Sequence, residues 1–143
     1  MTALGLPGME YPDVRTLPPE GPALAYLIRV RNEPQETVFP VPPEAGLQVG
    51  FVVYPKGGEV ARHVHLPIIR EIVGMTEFLL VRRGACEVDL YDDDRSFVWT
   101  ETLREGDIIL IVAGGHGFRM TEDTVLLEIK QGPYAGPDEK ERF

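Results

Sequence analysis

The chemistry-bearing residues of this chain are few, and its three histidines, His63, His65 and His116, lead them. His63 and His65 stand two apart in the alternating run Glu59 to His65. On a strand, that spacing turns both rings to one face. Neutral imidazole suits Zn, Fe, Ni, Cu or Mn, and two rings side by side inside an apolar face need something to bind. From these residues alone, a metal site and a pair of surface histidines on an edge strand both stand open. The single cysteine, Cys86, excludes an internal disulfide and every Cys-based zinc motif, and fits a reducing cytosol. Cys86 alternates with Val88 and Leu90, which makes it a small core residue rather than a nucleophile.

The elements that must position these groups read as all-β. A length of 143 residues fits one domain, and 43% apolar with 26% charged residues is ordinary for a globular chain. Pro and Gly together number 28, enough for many turns between short elements. Nine of the thirteen prolines lie in residues 1–43. Residues 1 to about 22 are therefore expected to be a loose arm, because Pro18, Pro19 and Pro22 oppose regular pairing. Ala23 to Arg31 reads as a first strand and Glu36 to Phe39 as an edge piece. Further strands are expected at Leu47–Tyr54, Glu59–His65, Glu77–Val81, Ala85–Tyr91, Ser96–Leu103, Asp107–Val112, Phe118–Thr121 and Thr124–Ile129. Turn formers separate them at Pro55–Gly58, Gly84, Asp92–Asp94, Glu105-Gly106, Gly114-Gly115 and Glu122-Asp123. Pro67–Gly74 has room for one helical turn. Such a series indicates a sandwich or barrel.

A net charge of −9 disfavours nucleic acid and anionic membranes as partners and leaves a small molecule, a metal or another protein. The first residues carry no basic segment followed by an apolar run, and Ile108–Ala113 is far too short to span a bilayer. A cytoplasmic location is expected.

Gly57, five residues, His63-Val64-His65, then Glu77, six residues and Gly84 resemble the first motif of the cupin family. Eleven residues separate His65 from Glu77, so the connecting hairpin is enlarged. Glu71 is the alternative carboxylate, but Phe78 rather than glycine lies at the matching position beyond it. Gly106 to His116 resembles the second motif with Val112 in place of proline, His116 one residue early and Met120 in place of asparagine. The resemblance covers roughly residues 47–131. It implies a double-stranded β-helix (jelly-roll) barrel over 47–131, an N-terminal arm over 1–46 and a tail over 132–143. It also implies one divalent ion (Zn, Fe, Mn or Ni) held by His63, His65, Glu77 and His116.

Three imidazoles and a carboxylate would leave an octahedral ion two open positions. Three functions follow from the resemblance: Lewis-acid isomerisation or epimerisation of a sugar-like or oxo-hydroxy metabolite, Fe(II)-dependent dioxygenase chemistry, or binding without turnover. Arg70 and Glu71 lie in Leu66–Thr76, a segment long enough to fold over the mouth as a lid. Arg70 there would grip a substrate carboxylate or phosphate, and Tyr54 and Phe118 would line the pocket. Core packing and a surface Arg70–Glu71 pair account for the same residues. Arg62 points away from the histidines, and alternation groups Lys130 with Glu128, which makes Lys130 a solvated or subunit-contact residue rather than a base. Ala23–Arg31 is a strand to spare, and its pairing with a second copy would give a homodimer.

Overall fold

The apolar alternation of the second half of the chain builds two antiparallel sheets. The computed structural model describes residues 14–31 and 33–143; the expectations for residues 1–13 lie outside the described residues. In chain order the strands are β1 (Val14–Leu17), β2 (Ala25–Ile28), β3 (Glu77–Arg83), β4 (Ala85–Tyr91), β5 (Phe97–Arg104), β6 (Ile108–Ile111), β7 (Gly115–Met120) and β8 (Val125–Lys130). A short 3-10 turn follows at Pro137–Glu139. The larger sheet has the order β1-β2-β6-β3-β8 and the smaller β5-β4-β7. The protein is all-β, and its sheets do not close into a barrel among the described residues.

Strand parity decides what lies between the sheets. Ala25 and Leu27 of β2, Leu79 and Val81 of β3, Cys86, Val88 and Leu90 of β4, and Ile109 and Ile111 of β6 form the core. Register aligns Ala25 with Ile111 and Ile111 with Glu77, so the inward rows run straight across the larger sheet. Two glycines set the corners. Gly84 turns β3 into β4 at φ +87°, and a β-carbon there would overlap the Asp123 carbonyl oxygen. Gly114 enters β7 at φ +69°, where a β-carbon would overlap the Tyr91 carbonyl oxygen.

Several of the expected elements differ. Val14–Leu17, inside the expected loose arm, forms β1, because Arg15, Thr16 and Leu17 find register with Leu27, Tyr26 and Ala25 in the proline-free stretch between Pro12 and Pro18. The expected first strand is shorter, Ala25–Ile28, and lies between β1 and β6. Both of its edges are filled within the chain, so it is not a spare edge for a second copy. Leu47–Tyr54 keeps only a bridge between Phe51 and Val38 and the bonds joining Val53 to the Thr37 hydroxyl. Glu59–His65 is no strand, and Pro67–Gly74 makes no helical turn; every residue from Val52 to Met75 is exposed.

One flank of the sandwich is stitched by charge. Arg29, just past β2, donates to Glu101 Oε1 (2.7 Å), Asp107 Oδ2 (2.7 Å) and the Thr102 carbonyl (2.7 Å). The Trp99 indole N–H donates to the other Glu101 oxygen at 3.0 Å, and Asp107 also accepts from the Val30 and Arg104 amides. The pairing ties the β2 side of the larger sheet to β5. On the outer face of the smaller sheet, Arg119 donates to Asp89 and Glu87, and the Thr100 hydroxyl donates to Asp89. The Arg119 bond, followed by that of Thr100, holds the Asp89 carboxyl below its ordinary value of 3.8 against the opposing effect of burial.

Two outcomes are expected. Arg29→Met, which leaves Asp107 without its cation and Glu101 with only Arg15 at 3.6 Å, should lower the unfolding free energy in urea by about 3 kcal/mol. A lowered carboxyl value stabilises the fold above its unfolded value, and that stability fades as the group protonates in the folded state. The stability gap between wild type and Arg119→Gln should therefore be full above about pH 4 and close as pH falls through the lowered Asp89 value.

Candidate functional site

At the end of the sandwich away from Arg29, inward parity places a carboxylate opposite an imidazole. Glu77 opens β3 on the same face as core residues Leu79 and Val81. His116, near the start of β7, pairs in register with core residue Leu90 and shares its face with Phe118. The two side chains meet across the gap between the sheets, with His116 Nε2 and Glu77 Oε2 2.9 Å apart. Glu77 is buried, while His116 is partly open to solvent. Phe118 packs on the core and sets its ring edge-on to His116, with centroids 5.7 Å apart.

The hydrogen bond from His116 is the main reason the Glu77 carboxyl is held below the ordinary carboxylate range. Burial opposes it, and Lys130 and Glu128 act in the same direction as His116. Lys130 lies opposite Glu77 in register, and Glu128 opposite Leu79. These two face inward beside the site rather than sharing a solvated outer face. Val125, Leu127 and Ile129 carry the outer face of β8 and are exposed. Alternation grouped Lys130 correctly with Glu128; what it lacks is the sign of the face, which comes from β3. The Lys130 ammonium also approaches Glu139 at 3.8 Å, tying the C-terminal turn to the site.

The remaining expected residues lie elsewhere. His63 and His65 are exposed, with ring centroids 5.1 Å apart, and stand apart from Glu77 and His116. The His63 Nδ1–H donates to the Ala61 carbonyl at 2.8 Å, which leaves Nε2 as the nitrogen with a free lone pair. Arg70, Glu71 and Tyr54 are exposed on the same span, so Leu66–Thr76 does not fold over the mouth as a lid. Of the two candidate carboxylates, Glu77 is the one beside a histidine. Among the described residues, no three His, Cys, Asp or Glu side chains gather closely enough to hold an ion. The candidate ligands thus fall into two separate pairs, Glu77 with His116 and His63 with His65.

Glu77 and His116 are joined by a hydrogen bond, and their donor types, carboxylate and imidazole, are those that bind divalent ions. Nitrogen and oxygen ligands lie about 2.0–2.2 Å from such ions, so two at right angles are about 3 Å apart. The observed separation is 2.9 Å. No protein-family model matches the chain, and comparison with curated proteins and with solved structures returns no match.

Cys86 takes no part in this chemistry. It is fully buried in the core, and burial pushes its thiol up. A colourless-to-yellow disulfide reagent should leave the native protein unlabelled and titrate one thiol per chain only after denaturation.

Proposed function

We propose that the protein is a mononuclear metal-binding β-sandwich of the cupin kind that takes a small oxygenated metabolite. Glu77 and His116 are the half of the site built into the sheets, and His63 and His65 complete it. The two sheets are then the bulk of a jelly roll whose remaining strands are residues 47–54 and 59–65. The observation that carries this reading is the inward Glu77–His116 contact at 2.9 Å between strands of opposite sheets. The fixed tautomer of His63, with Nε2 left open, supports it.

A divalent ion in such a site would act as a Lewis acid on a substrate carbonyl or hydroxyl oxygen. The residues of the chain supply the rest. Glu77, held in its carboxylate form, contributes the negative charge that a cation needs. Lys130, beside Glu77 in register, offers a positive charge to substrate oxygens, and Glu128 offers a carboxylate for proton transfer. Phe118 supplies an apolar wall next to His116. Isomerisation or epimerisation of a sugar-like or oxo-hydroxy compound uses these parts: an electrophile, a carboxylate base and a dry wall.

Metal analysis of untagged protein tests the reading. Wild type should hold close to one divalent ion per chain, and His63→Ala, His65→Ala and His116→Ala should each lower the affinity at least about 100-fold. Glu77→Gln should weaken binding, whereas Glu71→Gln should not. Wild-type protein that neither carries nor takes up Zn, Fe, Mn or Ni would refute it.

A further inference from the structure

Past β8 the chain turns back toward the Glu77–His116 end of the sandwich. Gly136 takes φ +105°, a value that residues with side chains avoid, and the Glu139 amide closes the turn on the Gly136 carbonyl at 3.4 Å. Three contacts fasten the segment that follows. Glu139 lies 3.8 Å from the Lys130 ammonium, Glu141 pairs with the Arg95 guanidinium at 2.5 Å, and the Phe143 ring sits edge-on to Tyr91 with centroids 5.2 Å apart. The Arg95 guanidinium carbon stands 5.4 Å from the Phe143 centroid. That ring also lies close to Gly115, the residue before His116; a β-carbon there would come within 2.9 Å of it. The anchors are alternate residues of a segment that is extended at Lys140 (φ −120°, ψ 144°). Between them, Lys140 and Arg142 are two cations that take no part in the fastening.

Those two cations line a cavity of about 150 Å³, together with Lys130, Tyr134 and Glu139. Three positive groups and one negative give the lining a net charge of +2, in a chain whose net charge is −9. Glu139 offsets Lys130, and among the described residues neither Lys140 nor Arg142 has an ion pair. An anion in the hollow would relieve the repulsion among them. Size and charge narrow its class. Pockets that enclose whole drug-sized ligands run to roughly 300–1,000 Å³, so this one takes a charged end group. A phosphate monoester carries about −1.5 to −2 at pH 7 on three strong acceptor oxygens, which matches the lining. A carboxylate would leave about one positive charge uncompensated.

We propose that this cavity binds the phosphate group of a small phosphorylated metabolite, held by Lys130, Lys140 and Arg142. The guanidinium fork and two ammonium groups supply charged donors, and Tyr134 adds a hydroxyl at the rim. The charge of the whole chain repels a membrane surface or a nucleic acid, which leaves a diffusible phosphate ester as the source. The grip on a substrate anion that the sequence suggests for Arg70 falls instead to the C-terminal segment. Lys130 lies opposite Glu77 in register, so the pocket stands beside the Glu77–His116 pair, and the phosphate is the anchored end of a molecule whose other oxygens meet that pair. That last step rests on the proposed metal site; the phosphate pocket does not.

Titration of the full chain with inorganic phosphate at low ionic strength, read by amide chemical shifts, tests the pocket. The shifts should saturate and centre on residues 130–142. Lys140→Gln and Arg142→Gln, both at exposed positions, should each weaken binding about tenfold. Glu139→Gln, which removes the carboxylate from the lining, should tighten it. Arg62→Gln, an exposed cation outside the lining, should leave it unchanged. A sugar monophosphate should shift the same amides, and the sugar without its phosphate should not. Shifts that stay linear in phosphate, or that fall as much in Arg62→Gln as in Arg142→Gln, would overturn the pocket. Equal binding of the unphosphorylated sugar, or binding to phosphatidic acid vesicles in place of free phosphate, would overturn it too. Saturable phosphate binding by a wild type that takes up no divalent ion would uphold the pocket and refute the metal site. Metal uptake without saturable phosphate binding would do the reverse.

Discussion

A strand is stable only when its backbone finds partners on the sides that water does not serve, and this requirement governs the whole molecule. The larger sheet meets it through β2, β6 and β3, each paired on both sides, and the smaller through β4. On the flank with β5, the Arg29 guanidinium bridges Glu101 and Asp107 and holds the sheets together. On the opposite flank, β7 and β8 present edges with no strand against them among the described residues. The Glu77–His116 contact sits beside that opening.

The site's position follows from register rather than from any loop. Glu77 lies in the inward row that runs from Leu17 through Ala25 and Ile111 to Lys130. His116 holds the corresponding place opposite Leu90. A one-residue slip of β7 would send its ring outward and put a glycine, Gly115 or Gly117, at the inward place beside Glu77. The Arg119 pairing with Asp89 and Glu87 opposes such a slip, because it anchors the outer face of the same strand. The polar outer lattice of the smaller sheet therefore helps to aim an inward imidazole.

The sequence was most legible where each strand has its partner nearby in the chain. Ala85–Tyr91 matches β4 residue for residue, because Cys86, Val88 and Leu90 alternate strictly and β5 follows through a short turn. Glu77 stood out over Glu71 by its spacing to Gly84, and in the structure it is Glu77 that faces a histidine. Glu59–His65 shows the limit. Its alternation is that of a strand, but alternation reports a pattern and not a partner, and no partner for it lies among the described residues. Val14–Leu17 shows the converse, a short segment beside prolines that pairs because β2 presents a free edge. Lys130 and Glu128 were grouped correctly, and Glu128 is exposed, but parity alone did not place them on the face of Glu77.

X-ray absorption at the metal edge of the reconstituted wild-type protein tests the central claim most directly. The scattering from imidazole rings counts the histidines around the ion. The account predicts three imidazoles and carboxylate oxygen at about 2.0–2.2 Å. A single imidazole, or an ion bound only by oxygen and water, would mean that His63 and His65 do not join Glu77 and His116, and would contradict it.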